Sequence, residues 1–319
     1  MVTNFAYNLS ENLRKFLLKS ENLKKEILLT PLSPKSELKA KWEANLERIK
    51  WSISFGDNPL AKADIAKLLS QPLKKRLALN QKDVVSQKQA FCYLKENWLV
   101  TKNPVTLATV IKLYQISCQP TLGRAAGLTE LSEKAVGRFL EYLQNSSESP
   151  VIHAGIAQIQ LIDANLFEKG NSRVARLLSY LFLYKSGYDF RQLLVLDEYF
   201  RRDLTTYRKI IDASFKSKNL TLWLEYFSYS LSVQLEKALE KIKSLSFQTE
   251  LPASFWKLNE RQKEVLNILD QPELKITNKD VQKMFGVSQI TASRDLTKLS
   301  NLGLLFPHGE GRSVFYTKV

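Results

Sequence analysis

The sequence predicts a mainly α-helical chain that ends in a small module of short helices and one hairpin. Two observations support this fold class. Glycine and proline account for only 11 and 10 of the 319 residues, and apolar residues recur at three- and four-residue spacing over most of the chain. Near the end, the glycine- and proline-containing stretch PHGEGRS marks a reversal of the chain before VFYTKV. The length fits about two domains.

Residues 1–90 are predicted to form an N-terminal helical region. An amphipathic pattern gives a first helix, which the prolines of PLSP end, and a second amphipathic helix follows. Asp57 and Asn58 belong to a DNP turn, and either is placed to cap a third helix. The predicted helices of this region cover residues 4–29, 36–51 and 61–69.

Residues 91–248 are predicted to form a helical core. The segment 82–118 carries a buried stripe of Phe91, Leu94 and Trp98 at helical spacing, and a long amphipathic helix closes the core. The later core helices are predicted at 150–164, from 173 onward and at 220–245, with a linker at 246–255.

A loop between two of these helices has the properties of an anion-binding site. Residues 169–172, KGNS, are poor helix-interior residues and lead directly into an apolar helix. Such a loop directs free backbone N–H groups at one point, where the helix dipole favours an anion. Arg173 and Arg176 are three residues apart, so both are expected to reach that anion. The alternative is an ordinary helix start with solvated arginines.

The same segment resembles the signature of a known family. The Fic signature is His-x-Phe-x-Asp/Glu-Gly-Asn-Gly-Arg-x-x-Arg, and the similar spacing here is Phe167-x-x-Gly170-Asn171-x-Arg173-x-x-Arg176. The resemblance implies a Fic-type helical domain. In that family the histidine is the general base, the acidic residue holds magnesium, and the loop and second arginine bind the phosphates of ATP. Typical members transfer AMP from ATP to a protein.

Three positions depart from the signature. Asn165 stands where the family has its histidine, Lys169 where it has its acidic residue, and Ser172 where it has its second glycine. We therefore expect the catalytic positions, Asn165 and Lys169, to lack base and magnesium chemistry. The resemblance still implies a site for ATP or ADP. Its nucleotide-binding residues are Gly170, Asn171, Ser172, Arg173 and Arg176.

The resemblance extends to an N-terminal inhibitory segment. Many Fic proteins carry Ser-x-x-x-Glu-Gly-Asn, in which the glutamate pairs with the second arginine of the signature. Here Ser52 and Asn58 match, but Gly56 replaces the glutamate. Asp57, one residue further, is an alternative partner, although such a shift rotates a helical side chain by about 100°. Residues 119–136 resemble a shortened form of the family's target-docking flap.

Residues 252–319 are predicted to form a winged helix-turn-helix domain. They resemble the winged-helix modules of bacterial transcription regulators, with helices at about 259–269, from a Thr277 or Asn278 cap to Gly286, and after Ser288. Ile290, Leu296 and Leu299 are expected in the core, and Asp295 is expected to pair within the module. The predicted DNA contacts are Gln289, Thr291, Ser293, Arg294, Lys298 and Arg312. The alternative is a module for protein contacts or dimerisation, and we expect a homodimer.

The composition of the chain argues against several classes of protein and of binding site. No apolar run approaches the roughly 20 residues that span a bilayer, and the N-terminus lacks a signal-peptide layout, which predicts a cytoplasmic protein without a membrane partner. Only His153 and His308 are histidines, and only Cys92 and Cys118 are cysteines, so we predict no metal site and no disulfide. The net charge of +15 suggests a polyanionic partner, yet residues 251–319 carry ten basic and seven acidic side chains.

Three functional hypotheses follow. The first is a degenerate Fic protein without adenylyl transfer, which senses a nucleotide or acts as a scaffold beside a DNA-binding module. The second is an active adenylyltransferase, or a related nucleotidyl or phosphoryl transferase, that uses another base such as Asp163 or Glu168. The third is a DNA-binding repressor whose Fic-like part only dimerises.

Overall fold

The computed structural model describes most of the chain and confirms the helical fold class. The described residues are 6–71, 76–125, 127–189, 191–246, 258–269, 274–309 and 314–318. The predicted linker falls largely, and Arg312 wholly, outside these residues. Within the described part, no helix is both long and apolar enough to cross a membrane.

Twelve helices form the larger part of the described chain. They are α1 Glu11–Leu29, α2 Pro34–Ile53, α3 Lys62–Leu69, α4 Leu79–Trp98, α5 Leu107–Ser117, α6 Gln119–Leu122, α7 Glu130–Asn145, α8 Pro150–Ala164, α9 Asn171–Lys185, α10 Leu196–Arg202, α11 Leu204–Ser217 and α12 Thr221–Ser246. The smaller C-terminal part holds α13 Glu260–Ile268, β1 Ile276–Thr277, α14 Asn278–Phe285, α15 Gln289–Asn301, β2 Leu305–His308 and β3 Phe315–Lys318.

The helix pair α8 and α9 forms the centre of the larger domain. Both helices are apolar on nearly every face and are therefore buried by neighbours all around. Helix α12 packs closely against α8 because Gly155 has no side chain: a Cβ there would lie 2.8 Å from Leu224 Cδ2. Trp223 Nε1 donates to the Gly155 carbonyl at 2.8 Å and fixes the contact. Helix α1 packs along α12 on the outside.

Two predictions about local structure were wrong. Helix α1 begins at Glu11, because Ser10 caps it by accepting from the Leu13 amide at 3.1 Å. Neither Asp57 nor Asn58 caps α3, whose N-cap is Ala61 without a side-chain hydrogen bond. The DNP turn, residues 57–59, lies too far before Ala61 for the side chain of Asp57 or Asn58 to cap α3.

The stretch resembling a shortened flap is helical at both ends. Helix α6 and the start of α7 occupy it, joined by a coil through Gly123 and Gly127, both at positive φ. Among its described residues there is no strand, so this part of the chain offers no sheet edge.

The C-terminal part has its own apolar core, centred on Val265, Val281, Leu296 and Leu299. Its strands form an antiparallel sheet in the order β1-β3-β2, and the described ends of the hairpin pair His308 with Phe315. Helices α14 and α15 begin at the predicted caps, since Thr277 and Ser288 accept from amides in their first turns. Gly286 ends α14 at a φ of 63°.

One predicted core residue of this part is not in the core. Ile290 is 62% exposed, because it lies in the first turn of α15, beyond the reach of the buried face that Leu296 and Leu299 share. Asp295 does pair within the module: its carboxylate accepts from Arg261 Nε at 2.5 Å and from Gln262 Nε2 at 2.6 Å.

Candidate functional site

A cavity of 430 Å³ lies at the N-terminus of α9. It brings together four residues of the signature-like segment and two residues of the segment after α2. The remaining walls come from α6, α8 and α11. The lining residues are Phe55, Gly56, Leu122, Ile162, Gly170, Ser172, Arg173, Arg176, Leu204, Tyr207, Arg208, Ile211 and Asp212.

Amide hydrogen bonds hold the loop in front of α9. Asn165 ends α8 in the left-handed conformation, and its Oδ1 accepts from Asn171 Nδ2 at 2.8 Å. Asn171 Oδ1 in turn accepts from the Phe167 amide at 2.9 Å, and Asn171 Nδ2 also donates to the Phe167 carbonyl. Phe167 is buried and stacks on Tyr114 with ring centroids 4.2 Å apart. The side chain of Asn165 is therefore part of the loop's scaffold.

Gly170 is required by the backbone of this loop. Its φ of 91° is a conformation that other residues adopt only with strain, and a Cβ would lie 2.9 Å from Cys118 Sγ. The close approach lets the loop turn directly into α9. The backbone N–H groups of Asn171 and Ser172 stand in the first turn, where a helix leaves its donors unpaired.

Arg173 forms a bidentate ion pair with Asp83 of α4. Its Nη1 and Nη2 lie 2.5 Å and 3.0 Å from the two carboxylate oxygens, and Nη1 also donates to the Ser117 carbonyl at 3.0 Å. Fork-to-fork pairing of this kind fixes the plane of the guanidinium. Arg173 is thus held at the cavity wall by two other helices.

Arg176 is buried and contacts elements on several sides. Its Nε lies 3.4 Å from Asp197 Oδ1, and its Nη1 donates to Ser172 Oγ at 3.1 Å. Phe55 covers the guanidinium, with the ring centroid 3.7 Å from Cζ. Arg173 and Arg176 both line the cavity, and each also faces its own carboxylate, Asp83 or Asp197. Their convergence on one anion stays a prediction.

The last turn of α2 and the segment after it contact Arg176 through a backbone carbonyl and an aromatic ring, and not through a side chain at the position of the family glutamate. Arg176 Nη2 donates to the Ser52 carbonyl at 3.5 Å, while Ser52 Oγ donates to Gln87 Oε1 at 3.1 Å. Gly56 lines the cavity, whereas Asp57 and Asn58 are exposed and contribute nothing to its wall. Arg201 Nε fixes the segment by donating to the Ser54 carbonyl at 2.8 Å.

The two residues that stand at the catalytic positions of the Fic signature are not part of the cavity wall. Asn165 and Lys169 are exposed, and neither lines the cavity. The nearby acids offered as alternative bases are also exposed, although partial burial raises the pKa of Asp163. Among the residues the structure describes, no group of three or more His, Cys, Asp or Glu side chains could hold a metal ion.

The wall formed by α11 was missed in part by the sequence analysis. Tyr207 is buried, stacks on Phe200 at 4.9 Å, and accepts a hydrogen bond from Gln158 Nε2 at 3.0 Å. Arg208 and Asp212 are exposed at the cavity rim, one turn apart on one face. The four-residue spacing of Arg208 and Asp212 indicates that they share a helix face. The sequence near them does not indicate that this face packs beside α9.

His153 lies far from the cavity, near the start of α8. Its Nε2 is hydrogen-bonded to Ser146 Oγ at 3.2 Å, and its ring packs edge-on against Phe182. Burial lowers the pKa of the imidazole, partly offset by Glu148.

The predicted DNA contacts that the structure describes all lie on α15. Gln289 and Arg294 are exposed, and Thr291 and Ser293 are partly exposed on the same helix, α15. Arg294 and Lys298 both line a second cavity, against Trp42 and residues after α3.

Comparison with known proteins is informative at the level of structure. No family model matches the sequence, and no curated protein matches it. A Fic family protein from Desulfovibrio desulfuricans superposes with a TM-score of 0.62 and 12% identity, covering 98% of this chain and 97% of the other. Fic-1 from C. elegans superposes with a TM-score of 0.54 and 16% identity, covering 72% and 71%. The chain therefore has the fold of Fic-family proteins.

Proposed function

We propose that this protein is a regulator in which a Fic-fold domain binds a nucleotide without transferring AMP and is joined to a DNA-binding module. The observation that carries the proposal is the role of Asn165. Its side-chain oxygen is bound to Asn171 at 2.8 Å, so the position of the family base is occupied by a structural amide.

The chemistry of the two substituted positions supports a loss of transfer. A carboxamide does not take up a proton near neutral pH, and general-base catalysis typically contributes about 10²–10⁴ in rate. The ammonium group of Lys169 repels a magnesium ion instead of binding it. Both substitutions remove groups that act in the transfer of AMP, and neither removes a residue that forms the anion-binding cavity.

The cavity supports retained anion binding. It lies at the N-terminus of α9, where unpaired amides and the helix dipole favour negative charge, and two guanidinium groups line it. Asp83 occupies two N–H groups of Arg173, whereas Asp197 faces Arg176 as an ion pair at 3.4 Å, and each guanidinium has five donors. A phosphate group can therefore share the arginines with Asp83 and Asp197.

Calorimetric titration with ATP and ADP tests this part, followed by chromatography of the nucleotide after long incubation. We expect binding and full recovery of unchanged ATP. Ser172→Asp places a carboxylate at the cavity wall and should weaken binding, whereas Ser36→Asp, in the first turn of α2, should leave it unchanged. ATP consumption that disappears in Asn165→Ala or Asp163→Asn would establish the alternative, an enzyme with another base.

The C-terminal module supports a DNA-binding role through its architecture. Three short capped helices and a hairpin are arranged in the order of a winged helix-turn-helix, and the first turn of α15 exposes Gln289. Its cationic groups suit phosphate contacts, and Arg294 adds a group suited to guanine. We propose that a homodimer doubles these contacts, since one module offers few.

Selection from a pool of random duplexes tests DNA binding. We expect a sequence motif to be enriched by the full-length protein and lost with Gln289→Ala or Arg294→Ala, while Lys263→Ala on α13 retains it. Binding of equal strength to all duplexes, or none, would favour a module for protein contacts. A monomer in sedimentation experiments at the selecting concentration would remove the dimer from the proposal.

A further inference from the structure

The C-terminal part packs against the larger domain through the end of α15. Leu302 is only 6% exposed, although it belongs to neither apolar core, and it lines two cavities together with Trp42 and Asn301. Lys88 of α4 donates to Asn301 Oδ1 at 2.5 Å across this junction. A groove between the two domains thus runs along α2, α4 and α15.

The groove is lined by cations. Its two cavities have volumes of 210 Å³ and 460 Å³ and share Trp42, Asn301 and Leu302. Among the residues that the structure describes, neither lining contains an aspartate or a glutamate. The basic residues are Lys41, Arg48, Lys88 and Lys95 in the smaller cavity, and Arg294 and Lys298 in the larger.

Part of this positive charge is already compensated. Lys41 lies 3.0 Å from Glu37, and Arg48 lies 2.8 Å from Asp189. Lys88 and Lys95 have no carboxylate within 4 Å in the described part of the chain. The smaller cavity therefore carries an excess of two ammonium groups.

Of these two lysines, Lys88 gives the stronger indication of an anion site. It is partly buried, and the acceptor of its ammonium group is the neutral amide of Asn301. Burial lowers the pKa of Lys88, since charge is costly away from water when no counter-charge is present. An ammonium group has three donors, so two remain for a ligand. A small anion in the cavity would supply the missing counter-charge.

We propose that this groove is a second anion site, separate from the cavity at α9, and that it binds a small anion with two phosphoryl groups. One phosphoryl group is bound by Lys88 and Lys95, and the other reaches toward Arg294 in the adjoining cavity. Because such a ligand contacts both domains, it stabilises their docked arrangement. This proposal does not depend on nucleotide binding at α9, and it shares Arg294 with the proposed DNA contacts.

Thermal unfolding of the full-length protein with pyrophosphate as probe tests the site, at constant ionic strength and with sulfate for comparison. We expect a higher midpoint with pyrophosphate than with sulfate. Lys88→Met and Lys95→Met should each weaken apparent affinity about tenfold or more, the effect of losing one charge-assisted hydrogen bond. The matched control is Lys82→Met, an exposed lysine on α4, and Ser172→Asp controls for the cavity at α9.

Cys92 provides a reporter that needs no substitution at the site. It lines the smaller cavity and is partly exposed, whereas Cys118 is buried. We expect pyrophosphate to slow alkylation of Cys92, followed by mass spectrometry at pH 8.5. The proposal is overturned by unchanged Cys92 alkylation, by equal effects of sulfate and pyrophosphate, or by a stabilisation that Ser172→Asp abolishes and Lys88→Met preserves.

Discussion

Arg176 and Asp197 form a buried ion pair at the centre of the candidate site, 3% and 1% exposed at their side chains. In the described part of the chain, neither Arg176 Nε nor Asp197 Oδ1 has a hydrogen-bond partner, and the two charges face each other across 3.4 Å. Removing one member leaves the other buried and unpaired, which typically costs about 3–5 kcal/mol.

We therefore expect Asp197→Asn to lower the free energy of unfolding by about 3 kcal/mol in denaturant titrations, since the neutral amide no longer compensates the guanidinium. Asp212→Asn, an exposed carboxylate at the cavity rim, is the matched control and should change stability by less than about 0.5 kcal/mol. Equal costs for the two substitutions would contradict the described pairing.

His153 makes stability depend on pH. Because burial lowers the pKa of the folded imidazole below its usual value near 6.5, the unfolded chain binds a proton more readily. The neutral histidine thus contributes stability above about pH 6.5 that is lost as the pH falls. The difference in unfolding free energy between wild type and His153→Gln should shrink from pH 7.5 to pH 5.5. A constant difference would show that burial does not act on this group.

Residue spacing predicted which side chains form the loop but not what they bind. Gly170, Arg173 and Arg176 line the cavity, as the signature-like spacing implied. Their partners could not be predicted, since Asp83 is 90 residues from Arg173 in the chain and the pairing depends on how α4 packs on α9. Phe55 was missed for the same reason, because an aromatic ring above Arg176 has no sequence pattern.

At the scale of elements, hydrophobic periodicity predicted most helices. Helix α8 has the bounds expected from the resemblance to the Fic family. The first residues of the helices were less predictable, because they depend on which side chain accepts a hydrogen bond from an unpaired backbone amide. Ser10 does so for α1, whereas the DNP turn does not for α3. The stretch between α5 and α7 had no clear period, and its helical turn is set by contacts with α4 and α5.

Two glycines offer a matched pair of substitutions, one at the junction between α8 and α9 and one inside α7. Gly170→Ala combines a φ of 91° with a clash against Cys118 Sγ and should lower the free energy of unfolding by about 2 kcal/mol. Gly137→Ala, inside α7 with open space around its Cα, should raise it by up to about 1 kcal/mol. Denaturant titrations measure both. A neutral Gly170→Ala would show that the loop can relax without its tight turn.

At the scale of the whole molecule, two apolar cores share one junction. One core runs from Leu13 to Leu245 and the other from Val265 to Leu305, with Leu302 and the Lys88–Asn301 hydrogen bond between them. The sequence predicted a separate C-terminal module from its turn residues and caps. It could not predict the cationic groove, because Lys88, Lys95 and Arg294 are remote in the chain and meet only through docking.

The central claim is that the anion-binding cavity persists without adenylyl transfer. Its most direct test is incubation of the full-length protein with cell lysate, magnesium and ATP labelled at the α-phosphorus, with Asn165→Ala and Arg176→Gln in parallel. We predict that all three preparations give the same background, with no protein labelled above a control lacking the chain. A band that wild type produces and Asn165→Ala or Arg176→Gln loses would contradict the account.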